Sequence, residues 1–348
     1  MFYKTITTSA SSLVSRRLLI DISRRMSTLH KIFITRNDMP DVGIELLKKQ
    51  CEIKKWEKAS PIPRDVFLQS VSGVNGIYCT LNDKIDKELL DAAGSTLKVV
   101  GTISVGYDHI DIAECRKRGV RIGYTPNVLT DATAELTLAL LLTTSRRLSE
   151  AQCEAKTGGW VSWAPTWMTG PGLAGSTVGI VGFGRIGQAV ARRVKAFNTA
   201  KILYYNRSEK AEAKEIGAIK VGFEELLTQS DFVICCAALV PETKEIFNKS
   251  AFEKMKPTAV FVNTSRGGTV DQGALIEALQ NNTIRAAGLD VTTPEPLPLD
   301  NTLFKLKNCV VLPHIGSATI EARNVMSELT AKNIICALNE SEMPAELK

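Results

Sequence analysis

The stretch TVGIVGFGRIG, Thr177 to Gly187, reads as a buried strand running straight into a glycine-rich turn and then a helix. Gly182, Gly184 and Gly187 carry the G-x-G-x-x-G spacing. The first glycine permits a tight turn, the second lets the backbone approach a pyrophosphate, and the third lets the helix pack on the strand, with phosphate held at the helix N-terminus. A glycine turn without a ligand satisfies the same spacing, so the surroundings decide. A helix-length segment, Gln188 to Phe197, follows the turn, and a second apolar strand, Lys201 to Tyr205, ends in Asn206, Arg207 and Ser208. The βαβ unit of a dinucleotide-binding domain is then complete.

Downstream, apolar runs at Ile219 to Val221, Asp231 to Ala237, Ala259 to Asn263, Ile284 to Leu289 and Val310 to Leu312 alternate with helical patterns, which extends the unit to a doubly wound parallel sheet. Upstream the alternation is the same, with KIFIT, CEIKKW, GIYCT and LKVVGTIS separated by helices, then a helix from Ile110 to Arg118 and another strand. That stretch lacks a dinucleotide turn, so it reads as a second α/β domain of similar build. Ser104, Val105 and Gly106 form a strand-end turn with exposed amides, of a kind that binds anions or merely connects elements. Pro126 to Thr130 reads as the crossing between domains. Asp131 to Arg147 follows as a buried helix, with Thr130 as N-cap and Arg146 and Arg147 complementing the macrodipole.

The next segment, GGWVSWAPTWMTGPGL, holds three tryptophans and two prolines, a composition that fits an interface as well as a loop packed on its own domain. The expected organisation is a targeting segment over 1–26, a substrate-binding domain split between 27–126 and 310–348, and a dinucleotide-binding domain over 127–309 with a dimerisation arm near 148–175. The active site is expected in the cleft between the domains.

A chain of 348 residues has room for two cores. Of its formal charge of +6, Lys4, Arg16, Arg17, Arg24 and Arg25 against Asp21 place +4 in the first 25 residues. The remainder is close to neutral, which argues against nucleic acid as a partner. The leading residues are rich in Ser, Thr and Arg and nearly free of acids, as in a mitochondrial transit peptide, whereas a start at Met26 leaves a cytoplasmic form. No apolar run approaches the ~20 residues of a transmembrane helix, so a membrane is not expected as a partner. Eight cysteines form no C-x-x-C pair, and His30, His109 and His314 are widely spaced, so no metal site is expected.

Three charged residues follow strands on the carboxyl side of the sheet, where open α/β folds bind ligands: Arg266 in NTSRGG, Glu295 in DVTTPEPLP and His314 in LPHIGSAT. An arginine can hold a carboxylate bidentately, a histidine exchanges a proton near neutral pH, and a carboxylate beside it stabilises the imidazolium. Taken singly, each has a bland reading as a surface charge, a loop carboxylate between prolines or a turn histidine.

Together VGFGRIG, FVNTSRGG, AAGLDVTTPEPLP and LPHIGSAT resemble the D-isomer-specific 2-hydroxyacid dehydrogenases, and within them the glyoxylate and hydroxypyruvate reductases, from Lys31 to the end. The resemblance implies a Rossmann-type cofactor domain beside a flavodoxin-like substrate domain, assembly as a homodimer, and hydride transfer between a nicotinamide cofactor and a small 2-oxo or 2-hydroxy acid. It implies that Arg266, Glu295 and His314 are catalytic, with His314 the proton donor and Glu295 favouring its charged form. The amides of Val105 and Gly106 would hold the substrate carboxylate, with Arg266, His314, Ile315, Gly316 and Ser317 around it and Asp290 near the nicotinamide. Trp167 matches an arm residue that caps the neighbouring subunit's pocket.

For the cofactor the resemblance implies contacts from Gly182, Gly184, Arg185, Ile186 and Gly187 at the pyrophosphate. Ala238, Thr264, Arg266, Asp290 and Gly316 would line the remainder. Where members that use NAD place an acid after the second strand, this chain has Asn206, Arg207 and Ser208, with Lys210 close behind. The loss of a repelling carboxylate and the gain of a planar cation point to NADP(H) over NAD(H). The reaction expected is reduction of glyoxylate and hydroxypyruvate to glycolate and D-glycerate. A nicotinamide-sensing transcriptional co-repressor or a phosphoglycerate dehydrogenase would share much of the pattern.

Overall fold

Short apolar runs rich in Val, Ile and Phe, each closed by turn residues, form the strands of two separate parallel sheets in the computed structural model, which describes residues 29–348. The expected targeting segment, 1–26, lies outside those residues. The chain divides into two compact units, one running to Pro126 and resuming at Arg323–Lys348, the other spanning Asn127–Ala322.

The first unit contains strands β1 (His30–Ile34), β2 (Cys51–Lys55), β3 (Gly76–Cys79), β4 (Val99–Thr102) and β5 (Arg121–Gly123). Between them lie helices α1 (Asp41–Lys48), α2 (Arg64–Ser70), α3 (Lys87–Ala93) and α4 (Ile112–Lys117). Pro40 and Pro63 introduce α1 and α2, while Asp86 and Asp111 cap α3 and α4 by accepting the amides of Leu89 and Glu114. All strands are parallel in the order β2-β1-β3-β4-β5, the flavodoxin-like arrangement.

The second unit opens with α5 (Thr130–Ser145) and α6 (Leu148–Thr157), then β6 (Thr177–Val181), α7 (Arg185–Lys195), β7 (Lys201–Tyr205), α8 (Glu212–Ile216) and β8 (Ala218–Lys220). It continues with α9 (Phe223–Gln229), β9 (Phe232–Cys235), α10 (Lys249–Lys254), β10 (Val260–Asn263), α11 (Gln272–Gln280), β11 (Ala286–Leu289) and β12 (Cys309–Val311). Its seven parallel strands run β12-β11-β10-β9-β6-β7-β8, a Rossmann-type order that reverses between β6 and β9. β9 and β10 are buried on every residue, as expected of strands covered by helices on both faces. The last helix, α12 (Ile320–Leu338), leaves this unit and enters the first. There a Cβ on Gly101 of β4 would stand 2.7 Å from Ile334, and Ser327 accepts a 3.0 Å hydrogen bond from the Tyr78 hydroxyl.

Two expectations are corrected. The boundary expected at residue 310 falls at Ala322, because β12 pairs in register with β11 and the chain after it stays tied to β11 through the His314 amide on the Asp290 carbonyl (2.9 Å). The helix expected to reach Arg147 stops at Ser145, with Thr130 as its first residue rather than its cap. Arg147 takes φ 56° and opens α6, held by a fork of two 2.8 Å hydrogen bonds to Glu150. Among the described residues no helix is long and apolar enough to cross a membrane.

Candidate active site

Strands of the second sheet end along one edge, and each expected site residue of this unit except Trp167 lies just past one of those ends. Gly182 follows β6, Asn206 follows β7, Ala238 lies after β9, Thr264 and Arg266 follow β10, Asp290 follows β11 and His314 lies after β12. Val105 and Gly106 lie in the other unit beyond β4, where the Ser104 hydroxyl donates to the Gly106 carbonyl at 2.7 Å. Among the described residues neither of their amides has an acceptor. Trp167 lies in the arm, 39% exposed.

The glycine turn fits a dinucleotide on steric grounds. Gly182 has φ 90°, and a Cβ there would stand 2.5 Å from the Ala237 backbone; on Gly187 it would overlap the Gly182 carbonyl. In front of Gly184 there is only open space within 4 Å. α7 begins at Arg185 without a side-chain cap, and among the described residues the amides of Gly184, Arg185 and Ile186 have no acceptor. Open donors at a helix N-terminus, in front of a position with room for a ligand, are what a pyrophosphate requires. The Arg185 guanidinium itself donates to Asn127 at 2.8 Å.

Asn206 has a local structural role beside the one expected of it. Its Oδ1 accepts the Phe183 amide at 3.2 Å and its Nδ2 donates to the Ser208 carbonyl at 2.9 Å, so it clips the turn after β7 to the glycine turn after β6. Arg207 is exposed and, among the described residues, has no carboxylate within ion-pair distance. The amide of Lys210 donates to the Tyr204 hydroxyl at 3.3 Å.

Glu295 and His314, 19 residues apart, meet through Oε2 and Nδ1 at 2.7 Å, with side chains 27% and 24% exposed. His314 takes φ 55°, a left-handed conformation uncommon for its type. Asp290 imposes it: its carbonyl accepts the His314 amide at 2.9 Å, and its two carboxylate oxygens accept the amides of Ile315 and Gly316 at 2.8 Å each. Those two amides are therefore taken up by Asp290, so any contact that Ile315 and Gly316 make with a ligand falls to their other atoms. Burial raises the Asp290 carboxyl above its ordinary range despite those amides. Burial pushes the Glu295 carboxyl up as well, but the hydrogen bond and charge of His314, the Thr292 amide and the Arg266 charge together hold it below the usual carboxylate range.

Arg266 is anchored by its own loop, where its carbonyl accepts Asn263 Nδ2 at 3.0 Å and the Thr269 hydroxyl at 2.8 Å. Thr264 pairs its hydroxyl with that of Thr137 from α5 at 2.7 Å, and the Ala238 carbonyl accepts the Thr243 hydroxyl. Thr292, whose amide donates to Glu295 Oε1 at 3.1 Å, escaped the sequence reading because a threonine carries no chemical signature of that role; its place three residues before Glu295 was the available signal. Among the described residues no cluster of His, Cys, Asp or Glu could hold a metal ion.

A Rossmann-type sheet with an open phosphate turn at its switch point and a carboxylate–imidazole pair at its carboxyl edge defines a dinucleotide-dependent enzyme that moves protons. Residues 138–316 match the NAD-binding domain of the D-isomer specific 2-hydroxyacid dehydrogenases, and the chain belongs to that family. It is 52% identical over 323 residues to the glyoxylate reductase/hydroxypyruvate reductase of Mus musculus, covering 92% of this chain and 98% of that one. Among solved structures, a Thermus thermophilus protein aligns with a TM-score of 0.86 at 40% identity, covering 91% of this chain and all of that one. The NADPH-dependent glyoxylate/hydroxypyruvate reductase of Sinorhizobium meliloti, in complex with NADP and malonate, aligns at 0.79 with 31% identity, covering 92% and 97%.

Proposed function

We propose that this chain reduces glyoxylate and hydroxypyruvate to glycolate and D-glycerate, with NADPH preferred over NADH. The observation that carries the reading is the 2.7 Å pairing of Glu295 with His314 Nδ1, which leaves Nε2 as the ring's remaining proton-bearing atom. The family match and the activity of the mouse relative support the substrate class. When bound at the glycine turn, the reduced nicotinamide supplies a hydride to the substrate's carbonyl carbon.

The protein's own residues do the rest. Glu295, ionised, favours the imidazolium of His314, and His314 gives its Nε2 proton to the carbonyl oxygen as negative charge grows there. Arg266 binds the substrate carboxylate and polarises the carbonyl. The acceptor-free amides of Val105 and Gly106 add donors for that carboxylate, and Asp290 shapes the turn from which His314 projects. Gly184, Arg185 and Ile186 hold the pyrophosphate, while Arg207, Ser208 and Lys210 hold the 2′-phosphate. The chain acts as a homodimer through the tryptophan-rich arm, with Trp167 against the partner's pocket, and its Ser-, Thr- and Arg-rich N-terminal residues suit a mitochondrial destination.

One assay tests the reading: oxidation of NADPH and NADH with glyoxylate, hydroxypyruvate and phosphohydroxypyruvate. Turnover of the first two, faster with NADPH, is expected. Turnover of phosphohydroxypyruvate alone would transfer the assignment to phosphoglycerate chemistry, and no turnover with any of them would refute it.

A further inference from the structure

We propose that Gln272 is a positioning residue: it holds the segment Thr292 to Pro296 so that Glu295 meets His314, and it locks that pair to the segment carrying Arg266. The inference rests on the oxidoreductase reading above. Pro294 and Pro296 have no amide to donate, so this segment has few means of attachment. The Thr292 amide turns inward to Glu295 Oε1 and the Thr292 hydroxyl to the Pro294 carbonyl. Among the described residues the segment makes hydrogen bonds to two groups outside itself. One is the His314 ring; the other is the side-chain oxygen of Gln272, which accepts the Thr293 amide at 3.0 Å. A backbone amide only donates, so the acceptor must be the glutamine oxygen. The His314 bond serves the chemistry, which leaves Gln272 as the polar anchor.

A second contact points the same way. A Cβ on Gly267 would overlap the Thr292 carbonyl and stand 2.6 Å from the Thr293 hydroxyl, so the backbone next to Arg266 passes directly beneath the same two threonines. From Asn263 to Gln272 the chain is one hydrogen-bonded piece. Asn263 and Thr269 grip the Arg266 carbonyl, and Asp271 caps α11 by accepting the Ala274 amide at 3.0 Å. Arg266 stands within that piece and Gln272 at its end. Without the Gln272 acceptor, the Glu295 segment can lift from Gly267 while Arg266 stays in place, and the contact with His314 lengthens. The charged groups facing Glu295 are His314, Arg266 and Asp290; Glu277, on α11, pairs instead with Lys249 at 2.7 Å. Gln272 is neutral, so its loss alters the pH profile through position and not through charge.

Gln272→Leu and Gln272→Met remove the acceptor, and Gln272→Glu keeps one. The measurements are kcat for glyoxylate against pH, the dissociation constant for NADPH and the melting temperature. In the Leu and Met variants kcat should fall about three- to tenfold, the loss of one hydrogen bond's worth of placement. The alkaline limb of reduction should move to lower pH, because a lengthened contact lets Glu295 favour the charged ring less. NADPH affinity should hold, and the Glu variant should recover most of kcat. Wild-type kcat and limb in both the Leu and Met variants would overturn the proposal, as would a slow variant with an unmoved limb or a Glu variant as slow as Leu. A wild-type enzyme that reduces no 2-oxo acid would overturn the functional reading instead, and is measured first.

Discussion

His314 and Glu295 divide one task between conformation and charge. The left-handed backbone of His314 is held by three amides converging on Asp290, which aims the ring at Glu295. Because the Glu295 carboxyl is held low, its contribution is present above the ordinary carboxylate range and fades only as pH falls through the depressed value; the raised Asp290 has the opposite sign and is relieved on acidification. Glu295→Gln keeps the shape and removes the charge, so the alkaline limb of glyoxylate reduction should shift to lower pH while NADPH affinity is kept. A pH–rate profile superimposable on wild type would contradict the pairing. At the other end of the sheet edge, Arg207 stands exposed on the turn that Asn206 clips in place. Arg207→Ala should raise KM for NADPH roughly tenfold or more, the scale of a charge-assisted hydrogen bond, with little change for NADH. Added salt should weaken NADPH more than NADH, and Michaelis constants measured at two ionic strengths check both statements.

The strand–turn–helix of β6 and α7 is the element in which sequence and structure agree most closely, because each of its three glycines answers a separate steric demand. Gly187→Ala would drive a methyl group into the Gly182 carbonyl, a backbone atom that cannot yield. Overpacking of this kind costs about 1–3 kcal/mol, or a few degrees of melting temperature. The decisive expectation is that NADPH no longer raises the melting temperature of this variant, seen by thermal denaturation with and without cofactor. The parallel strands were legible because strands buried on both faces read as unbroken apolar runs between turn residues. The end of α5 was not: Arg146 and Arg147 look like helix-terminal charges, and only the Glu150 fork shows that Arg147 starts the next helix. The crossing near Pro126 was legible, but the return crossing was placed too early for a related reason, since it falls inside α12, where helical pattern continues unbroken. Arg266, Glu295 and His314 stood out as candidates by side-chain chemistry after strand ends, and only together with the surrounding motifs. The 19-residue separation of the acid–base pair, and the neutral residues that hold it, could be seen only in three dimensions.

At the scale of the whole chain, α6 has no buried residue, and the segment after it leaves Trp160 at 63%, Val161 at 91% and Trp163 at 82% exposure. Apolar side chains displayed in such number call for a covering surface. If the proposed homodimer forms through this arm, the wild type should sediment as a dimer and Trp160→Asp combined with Trp163→Asp as a monomer; a double variant that stays dimeric would place the contact elsewhere. The split first unit has an effect of a different kind, on the order of events at the ribosome. The second unit is a single continuous stretch, whereas the first lacks the helix that fills the face above Gly101, and the Asn333 side chain on the Tyr124 carbonyl, until the last residues are made. Strands β1 to β5 must therefore wait for α12. A nascent chain halted near Ala322 should already bind NADPH through its folded second unit while strands β1 to β5 remain open to protease, the reverse of their order of synthesis.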